Sequence, residues 1–240
     1  KASYGFLANE AYFAAEGTYD FADEQWGPQD IRIVLGKPTS NAIAVAADTG
    51  VKTVYDLKSL RLGYVKGNPS VNVKHDAYLA FAGLTRDDIE VVWFGSYSAL
   101  KTAVLANQID GYSSVTTSAN MREIEASPRG LWYAQVPPED KEGWKKLTDV
   151  VDFVKPMVET QGAALSKEKP ANLTQMRYPM ITVYPKDVGA DEAYNFVMAA
   201  DIAFDDYKDA TATGEFWAVD QAGPPPYDAP AHEGTIRYLK

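Results

Sequence analysis

The class this sequence predicts is an α/β fold in which a mixed, mostly parallel sheet is flanked by helices. Three observations lead there. From Arg61 onward short β-type runs alternate with helical patterns, the connections between them are brief, and several runs end in small polar residues where a helix begins. The chain of 240 residues, 46% hydrophobic and 23% charged, can bury a substantial core as one large domain or two small ones.

Taken in order, "SYGFLAN" (3–9) reads as a strand and "EAYFAAEG" as a short helix. "IRIVLG" (31–36) and "AIAVAAD" (42–48) read as two strands separated by Lys37-Pro38-Thr39-Ser40-Asn41. "RLGYVKG" opens the first βα unit: its strand stops at Gly67-Asn68-Pro69-Ser70, and Val73, Ala77, Ala80, Phe81 and Leu84 then recur on one helical face. Ser70 is a suitable N-cap and Gly83 a suitable stop. "EVVWFGS" (90–96) leads into a helix with Leu100, Ala103 and Val104 on one face, and "DGYSSV" (110–115) into one through Met121 and Ile124. "LWYAQVP" (131–137) ends the run. "EDKEGWKKLTDVVDFV" has helical character, whereas the stretch 155–177 carries Pro, Gly and polar residues without a period and is expected to be irregular. "MITVYPK" (180–186) reads as a strand, and Ala193, Phe196, Val197, Ala200 and Phe204 mark an amphipathic helix. The tail "AGPPPYDAPAHEG" suits neither helix nor central strand. The chain opens at Lys1 without an initiator Met, in what reads as the middle of a fold, so an upstream segment is expected.

Composition narrows the function. A net charge of -10 argues against nucleic acid and anionic membranes, which both need a basic surface. The absence of cysteine excludes disulfides, thiolate metal sites and cysteine nucleophiles. His75 and His232 are far apart and show no metal-ligand spacing. His75 sits one position off the apolar stripe and reads as a surface or half-buried structural histidine. No G-x-S-x-G, phosphate-binding loop or dinucleotide fingerprint is present. The sequence therefore points away from an enzyme, with no cofactor and no metal expected.

What remains is a set of junctions. Gly67-Asn68-Pro69-Ser70, Gly95-Ser96-Tyr97-Ser98 and Thr116-Thr117-Ser118 each put small hydroxyl or amide residues where a strand gives way to a helix. In an open α/β sheet such junctions share one edge, at the carboxyl ends of the strands, where ligands bind. Helix starts offer unpaired N–H donors and a positive dipole end, which suits an anion or carboxylate. Two readings stand: these residues cap their own helices, or together they grip a solute. A second polar edge is formed by Asn9 and by Thr39, Ser40 and Asn41. Tyr97 and Tyr112 are pocket candidates, while Trp93 and Phe94 read as core. The candidate ligand-binding set is Asn9, Asn41, Asn68, Ser70, Tyr97, Thr116, Thr117 and Ser118. Few arginines lie near these positions. Lys37, Lys66 and Arg177 are the nearest cations for a carboxylate, which leaves a monocarboxylate or amino acid open.

With these residues in view, the sequence resembles the TAXI-type solute-binding proteins of TRAP transporters. "GVKTVYDLKSLRLGYVKGNPS" is similar to a family segment in which an Asp-Leu-Lys turn (Asp56, Leu57, Lys58) precedes a strand, a Gly turn (Gly67) and a Ser or Thr (Ser70). "FAGLTRDDIEVVWFGSYSALKTAVLANQIDGYSS" resembles the family's Gly-Leu-Thr, Asp-Asp, Ala-Leu and Ile-Asp-Gly succession. "PAHEGTIRYLK" resembles its terminal Pro-x-His-x-Gly-x-x-x-Tyr motif, carried by Pro230, His232, Gly234 and Tyr238, with Glu233 where the family commonly has Pro. The resemblance implies a two-lobed, periplasmic-binding-protein-like fold of type II, crossed twice by the chain. Residues 1–60 and 178–240 would form one lobe, and 61–177 the other. It implies a periplasmic, monomeric receptor that captures a small organic anion or amino acid in a cleft between the lobes and delivers it to TRAP permease subunits. The alternatives are a lyase-like enzyme on the same scaffold and a ligand-sensing ectodomain.

Overall fold

The computed structural model describes residues 3–211, 213–224 and 229–240. In chain order its elements are β1 (Tyr4–Leu7), α1 (Glu10–Glu16), β2 (Arg32–Ala46), β3 (Arg61–Val65), α2 (Pro69–Phe81), β4 (Glu90–Phe94), α3 (Ser98–Leu105), β5 (Gly111–Ser114), α4 (Ala119–Glu125), β6 (Leu131–Tyr133), α5 (Lys141–Val150), β7 (Lys155–Glu159), β8 (Ala171–Val183), α6 (Ala190–Ile202), α7 (Phe204–Tyr207), α8 (Val219–Ala222) and α9 (Glu233–Tyr238). The chain divides into two compact units, one of Lys1–Thr39 with Arg177–Lys240 and the other of Ser40–Met176. It passes between them inside β2 and inside β8.

In the second unit β3 lies between β4 and β5 and is parallel to both, with Val65 opposite Phe94 and Leu62 opposite Gly111. This is the arrangement that helical crossovers impose. β2 runs the other way between β5 and β6, with Ala42 opposite Ser114 and Ala44 opposite Tyr133. Strands β3 to β6 therefore do point in one direction, but the insertion of β2 makes two of the contacts antiparallel. With β7 antiparallel to β8 and β1 antiparallel to β8, the sheet is mixed and mostly antiparallel, where the sequence suggested mostly parallel. The core joins Leu100, Val104, Ile109, Met121, Ile124 and Tyr133, each worth about 1.5–3 kcal/mol of burial. Gly111 is needed here, because a Cβ would sit 2.3 Å from the Ala44 carbonyl oxygen.

Helix α2 starts at Pro69 and is capped by Asn68, whose Oδ1 accepts from the Val71 N–H at 3.0 Å. Asn68, not Ser70, is thus the cap, and Ser70 lies buried in the first turn. Gly83 follows the helix at φ +70°, a conformation that favours glycine. The stripe expected on α2 is only part of what it buries: Ser70, Asn72, Lys74, His75 and Tyr78 are covered as well. One side packs on α5, where Phe81 meets Trp144 edge to face at 5.7 Å.

In the first unit β1 pairs with the end of β8, Tyr4 opposite Val183 and Leu7 opposite Met180. Helices α6 and α9 pack together over Val34, Leu35, Ile181, Val188, Ala193 and Val197. The terminal Pro-x-His-x-Gly motif serves this packing. His232 caps α9, its Nδ1 accepting from the Gly234 N–H at 3.1 Å, and a Cβ on Gly234 would fall 2.3 Å from the Ala190 carbonyl oxygen.

Three expectations need correction. The strands expected at 31–36 and 42–48 are one strand, because Lys37-Pro38-Thr39-Ser40-Asn41 continue the extended chain while it changes unit. The stretch 155–177 is irregular only at 160–170: on either side it forms β7 and the first half of β8, whose polar residues are bonded, as where Thr174 Oγ1 donates to the Asn41 carbonyl. Residues 40–60 cluster with the second unit instead of the first, since β2 beyond Thr39 pairs with β5 and β6. In the tail, α8 and α9 flank the Pro-rich run, and residues 225–228 lie outside the described residues.

Candidate functional site

Because β3, β4 and β5 are parallel, the turns that follow them, at 66–68, 95–97 and 115–118, leave the second unit's sheet on one edge. Each turn is fixed differently. In the first, Gly67 takes φ +64° and Asn68 is committed to capping α2. In the second, Ser96 and Ser98 hydroxyls lie 3.0 Å apart, and the Tyr97 hydroxyl donates to Ser114 Oγ at 3.0 Å while its ring meets Tyr112 edge to face. In the third, buried Thr116 shares a hydrogen bond with Ser40 at 2.7 Å, and Ser118 caps α4 by accepting from the Asn120 N–H at 3.3 Å. Between them Thr117 is half-buried, and its hydroxyl has no hydrogen-bond partner among the described residues.

Behind this edge lies a buried polar network. Asn41 Nδ2 donates to the Ser114 carbonyl at 3.1 Å, and its Oδ1 accepts from the Tyr78 hydroxyl at 2.9 Å and from Ser113 Oγ at 3.0 Å. Tyr78 also shares a 2.6 Å hydrogen bond with Thr174 Oγ1. His75 is part of the same layer: its Nε2 accepts from the Ser113 N–H at 2.9 Å, which leaves Nδ1 to donate to the Val71 carbonyl at 3.1 Å. It is wholly buried, where the sequence suggested a surface or half-buried position, and burial drives its pKa from the usual 6.5 down to about 4. Burial likewise pushes the Tyr78 phenol far above its ordinary value.

Of the residues singled out in the sequence, Asn68, Ser70, Tyr97, Thr116, Thr117 and Ser118 belong to the turns and helix starts of this edge. Asn41 sits in the network behind it. Asn9 belongs to the first unit, wholly buried at the start of α1, and its side chain makes no capping bond. Tyr78, Ser113 and Thr174 escaped the sequence reading, and His75 was read as structural without its place in this layer. Tyr78 and His75 lie on a helix taken to have one apolar stripe, and Thr174 lies in the stretch taken as irregular. Two shallow dimples in the same unit, one beside Trp132 and Leu165 and one beside Tyr78 and Leu147, have no room for a solute.

Among the described residues no group of three or more His, Asp or Glu side chains could hold a metal ion, and no helix is long and apolar enough to cross a membrane.

The family model described as NMT1/THI5 like matches residues 31–204. No curated protein matches the sequence. Among solved structures, the chain is similar to the periplasmic aliphatic sulphonate binding protein SsuA of Escherichia coli, with 15% identity and a TM-score of 0.46 over 99% of this chain and 61% of that one. It is similar to the alkanesulfonate-binding protein SsuA of Xanthomonas axonopodis pv. citri bound to MOPS, with 16% identity and a TM-score of 0.42 over 99% and 65%. A binding protein component of an ABC phosphonate transporter from Pseudomonas aeruginosa gives 14% identity and a TM-score of 0.42 over 92% and 64%. The chain thus spans less than two thirds of the length of each of these proteins.

Proposed function

The chain belongs to the NMT1/THI5-like family, and from that premise we propose that it is the solute-capturing part of an extracytoplasmic receptor that binds a small organic anion or amino acid. The observation that carries this reading is the shared edge. Three turns bearing amide and hydroxyl groups follow the carboxyl ends of neighbouring parallel strands, the edge at which open α/β sheets bind their ligands. The hydrogen-bonded layer behind them holds the turns in place, so the donors are set before a solute arrives.

The two histidines support binding over turnover. Each imidazole has both nitrogens engaged with the backbone, His75 between Val71 and Ser113 and His232 between Val188 and Gly234, so neither is available to move a proton on a substrate. Delivery of the solute to membrane permease subunits is part of the proposal. That these subunits are of the TRAP type rests on the sequence resemblance alone.

Native mass spectrometry of the protein as purified tests the reading. A receptor of this kind is expected to carry a small molecule that is released on denaturation and is chemically unchanged after incubation. A protein that carries nothing and binds no organic acid or amino acid in calorimetry contradicts it, and a turned-over metabolite favours an enzyme.

A further inference from the structure

The buried cations among the described residues are Lys37 and Lys74, and they differ. Lys74 lies on α2 and has interactions of its own. Lys37 lies on β2 in the first unit with 6% of its surface exposed, and no carboxylate among the described residues pairs with it. The Phe216 ring lies with its centroid 6.0 Å from Nζ. Burial lowers its pKa.

The other cations near the sequence-predicted set do not share this situation. Arg177 gives its guanidinium to the Gly36, Gln221 and Pro224 carbonyls, and Lys66 is exposed. Elsewhere Arg61, Arg86 and Arg129 pair with Asp110, Asp76 and Asp48. A buried ammonium without an anion is costly, and native proteins normally pair such a group or use it. In a chain of net charge -10, a carboxylate partner would not be scarce.

We propose that Lys37 is the counter-charge of an anion site within the first unit, one that takes the acidic group of a small organic monoanion whose apolar part lies against Phe216. This rests on the receptor reading for the source of the anion. An ammonium is a compact point charge with three donors, so it meets the oxygens of a carboxylate or a sulfonate without the two-pronged geometry that a guanidinium imposes. The half-buried Phe216 ring supplies an apolar surface beside the charge.

The test follows the Lys37 side chain by NMR of protein labelled with ¹³Cε-lysine, at constant pH, with the resonance assigned by its loss in Lys37→Met. Lys37→Gln serves for assignment if Lys37→Met fails to fold. Acetate and methanesulfonate are the probes, and chloride at equal ionic strength is the control. The expected result is a saturable shift of the Lys37 resonance with acetate or methanesulfonate that chloride does not reproduce, while other lysines stay in place. Which probe saturates first distinguishes a carboxylate from a sulfonate headgroup. No movement, or one that follows ionic strength alike in all three salts, overturns the proposal. If native mass spectrometry finds a carried solute while Lys37 ignores both oxyanions, the receptor reading stands and the role of Lys37 falls. If Lys37 binds an oxyanion in a protein that carries and binds no solute, the anion site stands and the receptor reading falls.

Discussion

The inner polar layer of the second unit and Lys37 of the first treat buried polarity in opposite ways. In the second, Asn41, Tyr78, Ser113, Thr174 and His75 are buried and hydrogen-bonded to one another or to the backbone. In the first, Lys37 is buried with an aromatic ring for company and no counter-ion among the described residues. Burial alone therefore says little about function. A polar group that is satisfied internally holds the fold, and one that is not is open to an outside partner.

The sharpest way to break this contrast is to remove the hub of the satisfied network. Asn41→Ala deletes three side-chain hydrogen bonds and leaves Ser113 Oγ and the Ser114 carbonyl short of partners. A loss of about 3–5 kcal/mol is expected, read as a lower midpoint in urea unfolding. A change below ~1 kcal/mol would mean that the network is not holding the fold.

The next effect is a pH dependence from His75. Its folded pKa, about 4, lies below the usual 6.5, so between these values the unfolded chain takes up the proton and the folded protein does not. The contribution is fully present above pH 6.5 and is lost as pH falls toward 4. A shift of this size is worth about 3 kcal/mol. Protonation would also take Nε2 away from the Ser113 N–H. Unfolding of the wild type should lose more stability from pH 7 to pH 4.5 than that of His75→Gln. Parallel curves would remove His75 from the account.

Lys37→Met gives the smallest change and one of opposite sign. Replacing an unpaired buried ammonium with an apolar chain of similar length should leave stability unchanged or raise it by about 1 kcal/mol. Marked destabilisation would show that Lys37 is needed by the fold.

Much of the second unit was legible in the sequence. The βα units after Arg61 carry strong apolar periodicity, and their turns were placed from Gly67, Gly95 and the Thr116-Thr117-Ser118 run, because small polar residues at strand ends follow from local backbone chemistry. Two kinds of feature were not legible. One is the path of β2 and β8, whose Lys37-to-Asn41 and 171–177 segments look like loop sequence because Thr39, Ser40, Asn41 and Thr174 find their partners far away in the chain. The other is the inner layer: Tyr78 bonds to Asn41 and Thr174, 37 and 96 residues away, so no local pattern announces it. The helix start at Asn68-Pro69-Ser70 shows a subtler limit. A cap was expected there, but whether Asn68 or Ser70 supplies it depends on where Pro69 begins the helix.

The most direct test of the central claim is hydrogen–deuterium exchange with and without the solute released from the purified protein. The account predicts that the solute protects the backbone amides of 66–70, 95–98 and 115–118 together. Protection confined to other segments, with these three turns exchanging as before, would contradict it.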